Sequence, residues 1–102
     1  MMYEHMVYFK FNDQITSDKQ NELLDKLHAF KGVIPGIVEI TAGINATTEQ
    51  ERARGYSMGL RVTFENKDAL DQYGPHPVHQ EFVQSLEGVI DHVAVVDYPI
   101  NK

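Results

Sequence analysis

The chain has 102 residues, enough for one domain, and its 42% hydrophobic and 24% charged residues exclude wholesale disorder. Fifteen acids against nine scattered bases leave a net charge of −6, without the cationic stripe that a nucleic-acid partner requires. Zero cysteines remove disulfides, zinc fingers and thiolate nucleophiles, and no stretch approaches the ~20 apolar residues that cross a bilayer, so the chain reads as cytoplasmic with no membrane partner.

Tyr3 to Phe11 alternates and is rich in aromatic and β-branched residues, the pattern of a strand with His5, Val7, Phe9 and Phe11 on one face and Met6, Tyr8 and Lys10 on the other. Which face meets the rest of the fold is open at this point. Ser17 with Gln20 has the form of a capping box and opens a helix to about Phe30, with Leu23, Leu27 and Phe30 as its apolar stripe and Leu24 beside them. Gly32 is placed to end that helix in the left-handed conformation, and Pro35-Gly36 prevents a restart.

A second strand runs from Ile37 to Asn45. The polar stretch from Ala46 to Gly55 reads as a long mobile hairpin loop, and Tyr56 to Phe64 as a third strand with Met58, Leu60, Val62 and Phe64 on one face. Asn66 caps a short helix ending near Tyr73-Gly74. His76 stands at the next N-cap with Pro77 at the first helical position, and the segment to Gly88 is expected to bury Val78, Phe82, Val83 and Leu86. Val89 to Tyr98 forms the last strand, which Pro99 ends.

The order β-α-β-β-α-β is the ferredoxin-like arrangement of the α+β class, an antiparallel sheet with helices on one face, and residues 1–102 form a single domain. Two helical layers cover one face only, yet the strands are apolar on both: Met6 and Tyr8 oppose Val7 and Phe9, and Val93 and Val95 oppose Ala94 and Val96. An uncovered face of that kind predicts a homodimer packed sheet to sheet around a two-fold axis.

Reactive groups are densest in Tyr73-Gly-Pro-His76-Pro-Val-His79. Positions three apart share a helix face, so His76 and His79 could converge, and a helix N-terminus favours neutral imidazole, which suits a base. The structural alternative is that His76 only caps, Tyr73 only packs and His79 is a hydrogen-bonded framework residue. Glu81 is the sole acid near these histidines, which is no metal-ligand set, and neither the glycine spacings nor Ser57 and Ser85 match a phosphate loop or a nucleophile elbow. No cofactor is expected.

The run His5-Met-Val-Tyr-Phe-Lys-Phe11, Ile34-Pro-Gly-Ile37, the glycine and asparagine of Gly43-Ile-Asn45, Gly55-Tyr56, Phe64, Tyr73…His76-Pro-Val-His79 and Val96-Asp-Tyr98 together resemble the stress-responsive α/β-barrel (Dabb) domain nearly end to end. The resemblance implies ferredoxin-like subunits whose dimers close into an α/β barrel. It also implies, from a plant polyketide cyclase branch, catalytic roles for Tyr73 and His79, with His5 lining the same pocket. Leu27 and Met58 stand where those cyclases carry polar side chains.

The resulting expectation is a homodimer with a small apolar cleft for a carbonyl-containing or aromatic molecule, contacted by His5, His76, Phe9 and Phe82. One alternative is a cofactor-independent lyase, cyclase or isomerase with His79 as general base and Tyr73 as hydrogen-bond donor. Another is a structural stress protein without a ligand. A His79 buried in a cleft beside Tyr73, with its pKa shifted, favours the enzyme, and one that points into solvent or only caps backbone disfavours it; a filled interior favours the structural protein.

Overall fold

The computed structural model describes residues 1–101. Four strands, β1 (Tyr3–Phe11), β2 (Ile37–Ile44), β3 (Tyr56–Phe64) and β4 (Ile90–Pro99), form one antiparallel sheet in the order β2-β3-β1-β4. The helices α1 (Ser17–His28), α2 (Gln50–Ala53), α3 (Lys67–Tyr73) and α4 (Pro77–Ser85) complete a ferredoxin-like α+β fold. No helix among the described residues is long and apolar enough to cross a membrane.

Strand period fixes which side chains meet the helices. His5, Val7 and Phe9 of β1 pair with Val62, Leu60 and Met58 of β3, and all six are buried with Leu23, Leu27, Phe30, Phe64 and Phe82. On the opposite face Tyr8, Val96 and Tyr98 are exposed at 39%, 54% and 45%, an apolar surface that α1, α3 and α4 leave uncovered. That face also carries the polar cluster in which Arg61 bonds Glu4, Thr63 and Glu39.

Several local expectations are corrected. The cap of α1 is Thr16, whose hydroxyl accepts from Lys19 N at 3.0 Å, so no Ser17–Gln20 box forms; the helix then tightens into a 3-10 turn over Ala29–Gly32. Gly32 does not adopt positive φ. Gly36 does, at 87°, and a Cβ there would also lie 2.4 Å from Ala69 Cβ, so both backbone and neighbour call for glycine; its carbonyl accepts from Glu65 N. The segment 46–55 does join β2 and β3 as a hairpin, with the short α2 as an addition, and Asn45 bonds Tyr56 O and Thr47 N at its base. Pro99 closes β4 from inside the strand. Val83 of α4 stays 42% exposed, whereas Phe82 and Leu86 are buried as expected.

Candidate functional site

Between the sheet and helices α3 and α4 lies a cleft of about 480 Å³, whose lining includes His5, Phe9, Tyr73, His79, Phe82 and Asp97. Each comes from a separate piece of local chemistry. Asn66 Oδ1 accepts from Ala69 N at 2.8 Å and starts α3, which delivers Tyr73 from its last turn. His76 Nδ1 accepts from Val78 N at 3.1 Å and, with Pro77 following, starts α4, which presents His79 and Phe82.

The rings then lock one another. Tyr73 lies with its ring centroid 4.5 Å from His79, 5.2 Å from His5, 5.1 Å from Phe64 and 5.9 Å from Phe30, the last three edge to face. Phe82 packs edge-on against Phe9 and Phe30 at 5.9 and 5.8 Å, so Phe9 and Phe82, backed by Phe30, form an apolar wall of the cleft. Val93 and Val95, on the helix side of edge strand β4, are exposed and line the cleft toward its mouth.

Two hydrogen bonds set the polar character. His79 Nδ1 lies 3.0 Å from Gly74 O. A carbonyl only accepts, so Nδ1 carries the proton and Nε2 of the neutral ring keeps its lone pair. Burial lowers the His79 pKa below the ordinary 6.5; His5 and His76 lower it further, against the opposing pull of the Gly74 carbonyl. His5 Nδ1 lies 2.5 Å from Asp97 Oδ1, and the carboxylate fixes that ring in turn.

The Tyr73 phenol is pushed well above its usual pKa by burial and stays protonated. Its hydroxyl has no protein partner among the described residues, yet no described buried side-chain polar atom lacks one, so the oxygen is open to the cleft. The ensemble is therefore a neutral base, a neutral hydroxyl donor and a carboxylate-oriented imidazole in an apolar enclosure.

The structure brings together five of the six residues singled out from sequence: His5, Phe9, Tyr73, His79 and Phe82. His76 is separate. It lines a different groove with Pro35, Glu65 and Gln72, because its ring is turned back to cap its own helix. Leu27 and Met58 are buried core side chains outside the lining of the cleft. Asp97 was missed. Its signal lies in register, since antiparallel pairing of β1 with β4 sets His5 opposite Asp97. Among the described residues no group of three or more His, Cys, Asp or Glu is arranged to hold a metal.

A model of the Stress responsive A/B Barrel Domain (Dabb) matches residues 3–100. The stress-response A/B barrel domain-containing protein HS1 of Arabidopsis thaliana is 30% identical over 93% of this chain and 86% of its own length. Olivetolic acid cyclase of Cannabis sativa is 26% identical with the whole of both chains covered. Among solved structures, a dimeric ferredoxin-like protein of unknown function from Jannaschia sp. CCS1 is 29% identical, with a TM-score of 0.83 over 98% of this chain and all of that one.

Proposed function

The chain belongs to the stress-responsive A/B barrel domain family, and we propose that its cleft takes a small carbonyl-containing or aromatic molecule and moves a proton on it without a cofactor. The observation that carries this reading is the Nδ1–H bond from His79 to Gly74 O, which leaves the Nε2 lone pair free in a cleft also lined by the neutral Tyr73 phenol and by His5 with Asp97. In the reaction a C–H bond next to the carbonyl breaks and its proton joins His79 Nε2. The electron pair moves to the carbonyl oxygen, and the Tyr73 hydroxyl stabilises the enolate by hydrogen bonding. Return of the proton to carbon or oxygen regenerates neutral His79. His5, held by Asp97, offers a second polar contact, while Phe9 and Phe82 hold apolar substrate and keep water out.

Similarity to olivetolic acid cyclase supports the chemistry, whereas the apolar Leu27 and Met58 argue for a different substrate. The open cleft counts against a purely structural protein. The functional unit in this reading is a homodimer in which a second copy covers Tyr8, Val96 and Tyr98, in line with the dimeric Jannaschia relative. The test is solvent deuterium exchange into the α-carbons of aryl ketones and β-diketones in the presence of a chelator. Exchange by the native protein and its loss by about 100-fold or more in His79→Gln is expected. Exchange that survives the substitution would overturn the mechanism.

A further inference from the structure

A second polar groove, of about 500 Å³, is lined by Lys10, Arg54, Tyr56, Asp91 and His92 and shares no residue with the cleft of His79. It is a consequence of two irregularities that meet at one residue. On one side of Lys10 the β1–β3 ladder steps from Phe9↔Met58 to Lys10↔Tyr56, leaving Ser57 over. On the other the β1–β4 ladder steps from Lys10↔His92 to Phe11↔Ile90, leaving Asp91 over. A bulge re-aims side chains, and one on each neighbouring strand turns Tyr56 and His92 toward the same lysine.

The lysine is held in place as well. Gly55, at φ 82°, has no side chain where a Cβ would lie 2.9 Å from Lys10 Cε, so the lysine stem lies across the glycine. The Tyr56 hydroxyl is 2.7 Å from His92 Nδ1. A phenol is the stronger donor of that pair, so it donates, and His92 Nε2 then carries the proton as a further donor. Arg54 makes no ion pair among the described residues. The one acid, Asp91, lies 4.0 Å from Lys10 and is largely exposed.

We propose that this groove binds a phosphate group, free or as a monoester. An ammonium, a guanidinium and an imidazole N–H, supplied by three separate elements, β1, the 46–55 segment and β4, line one groove, which suits the several oxygens of a tetrahedral anion better than the two of a planar carboxylate. In a chain of net charge −6 such a grouping of donors is against the general field. The groove lies at the end of β1, two residues beyond Tyr8, at the border of the apolar face that a second copy covers in the reading above, and polar, charged residues are typical of such a rim.

The test is titration of the protein, as it assembles in solution, with inorganic phosphate, phenyl phosphate and benzoate at constant ionic strength, followed by amide and arginine side-chain NMR. Saturable shifts at Arg54, Gly55 and His92 with both phosphates are expected, and Arg54→Gln weakens them about tenfold or more. Arg52→Gln, which removes a neighbouring cation paired with Glu49, leaves them unchanged. Because Arg54 is exposed, its variant folds even where Lys10→Gln does not. Linear shifts, benzoate binding as tightly as phenyl phosphate, or an equal loss in Arg52→Gln would each overturn the proposal.

Discussion

Replacing Tyr73 by phenylalanine separates a hydroxyl that acts on a ligand from one that holds the fold. The ring is 3% exposed and touches His5, Phe30, Phe64 and His79, all contacts that phenylalanine retains. The hydroxyl has no protein partner among the described residues, so its removal leaves no orphaned group and creates almost no cavity. The cost to stability is therefore within about 0.5 kcal/mol, a midpoint shift under about 4 °C for a domain of this size. Tyr73→Ala, by contrast, empties the centre of the ring cluster and costs about 3–5 kcal/mol, or about 12 °C and more. Thermal unfolding followed by circular dichroism reads both, and deuterium exchange on a ketone reads the chemistry. The expected pattern is a stable Tyr73→Phe with exchange reduced about 100-fold. A Tyr73→Phe variant destabilised by more than about 1.5 kcal/mol would show that the hydroxyl bonds within the protein and refute the reasoning.

The His79 pKa gives a stability profile with a defined sign. The folded value lies below the unfolded 6.5, so the unfolded chain takes up the proton first, and the contribution is present above about pH 6.5 and lost as pH falls through the folded value. The unfolding midpoint of the native protein should fall between pH 7.5 and 5.5 more steeply than that of His79→Gln; a native protein that gains stability in that interval relative to the variant contradicts the assignment. For the open sheet face, sedimentation at micromolar concentration should read twice the 11.6 kDa chain mass, and Val96→Glu should move it toward monomer; a native chain that sediments only at 11.6 kDa removes the dimer.

The strands were legible because period-two patterning survives wherever one face is buried: Met58, Leu60, Val62 and Phe64 alternate in sequence and are all in the core. Tyr73 and His79 were legible because Asn66 and His76-Pro77 announce the two helix starts that carry them. What sequence left open depended on partners distant along the chain. Asp97 is 92 residues from His5 and meets it only through strand pairing. The positive φ belongs to Gly36 instead of Gly32, and Ala69 also packs where a Gly36 side chain would stand, a contact no local pattern encodes. His76 was grouped with His79 by helical spacing, but an N-cap turns its ring back to its own backbone and away from the shared face. The bulges at Lys10 are invisible in an alternating run, because an extra residue shows only when the neighbouring strand is laid beside it.

The central claim is that His79 is a neutral base with its lone pair on Nε2, and the ¹⁵N shifts of its ring at pH 7.5 test it most directly. The account predicts a protonated Nδ1, bonded to Gly74 O, and an unprotonated Nε2 whose resonance moves on addition of a ketone ligand. An imidazolium at that pH, or a proton resident on Nε2, would contradict it.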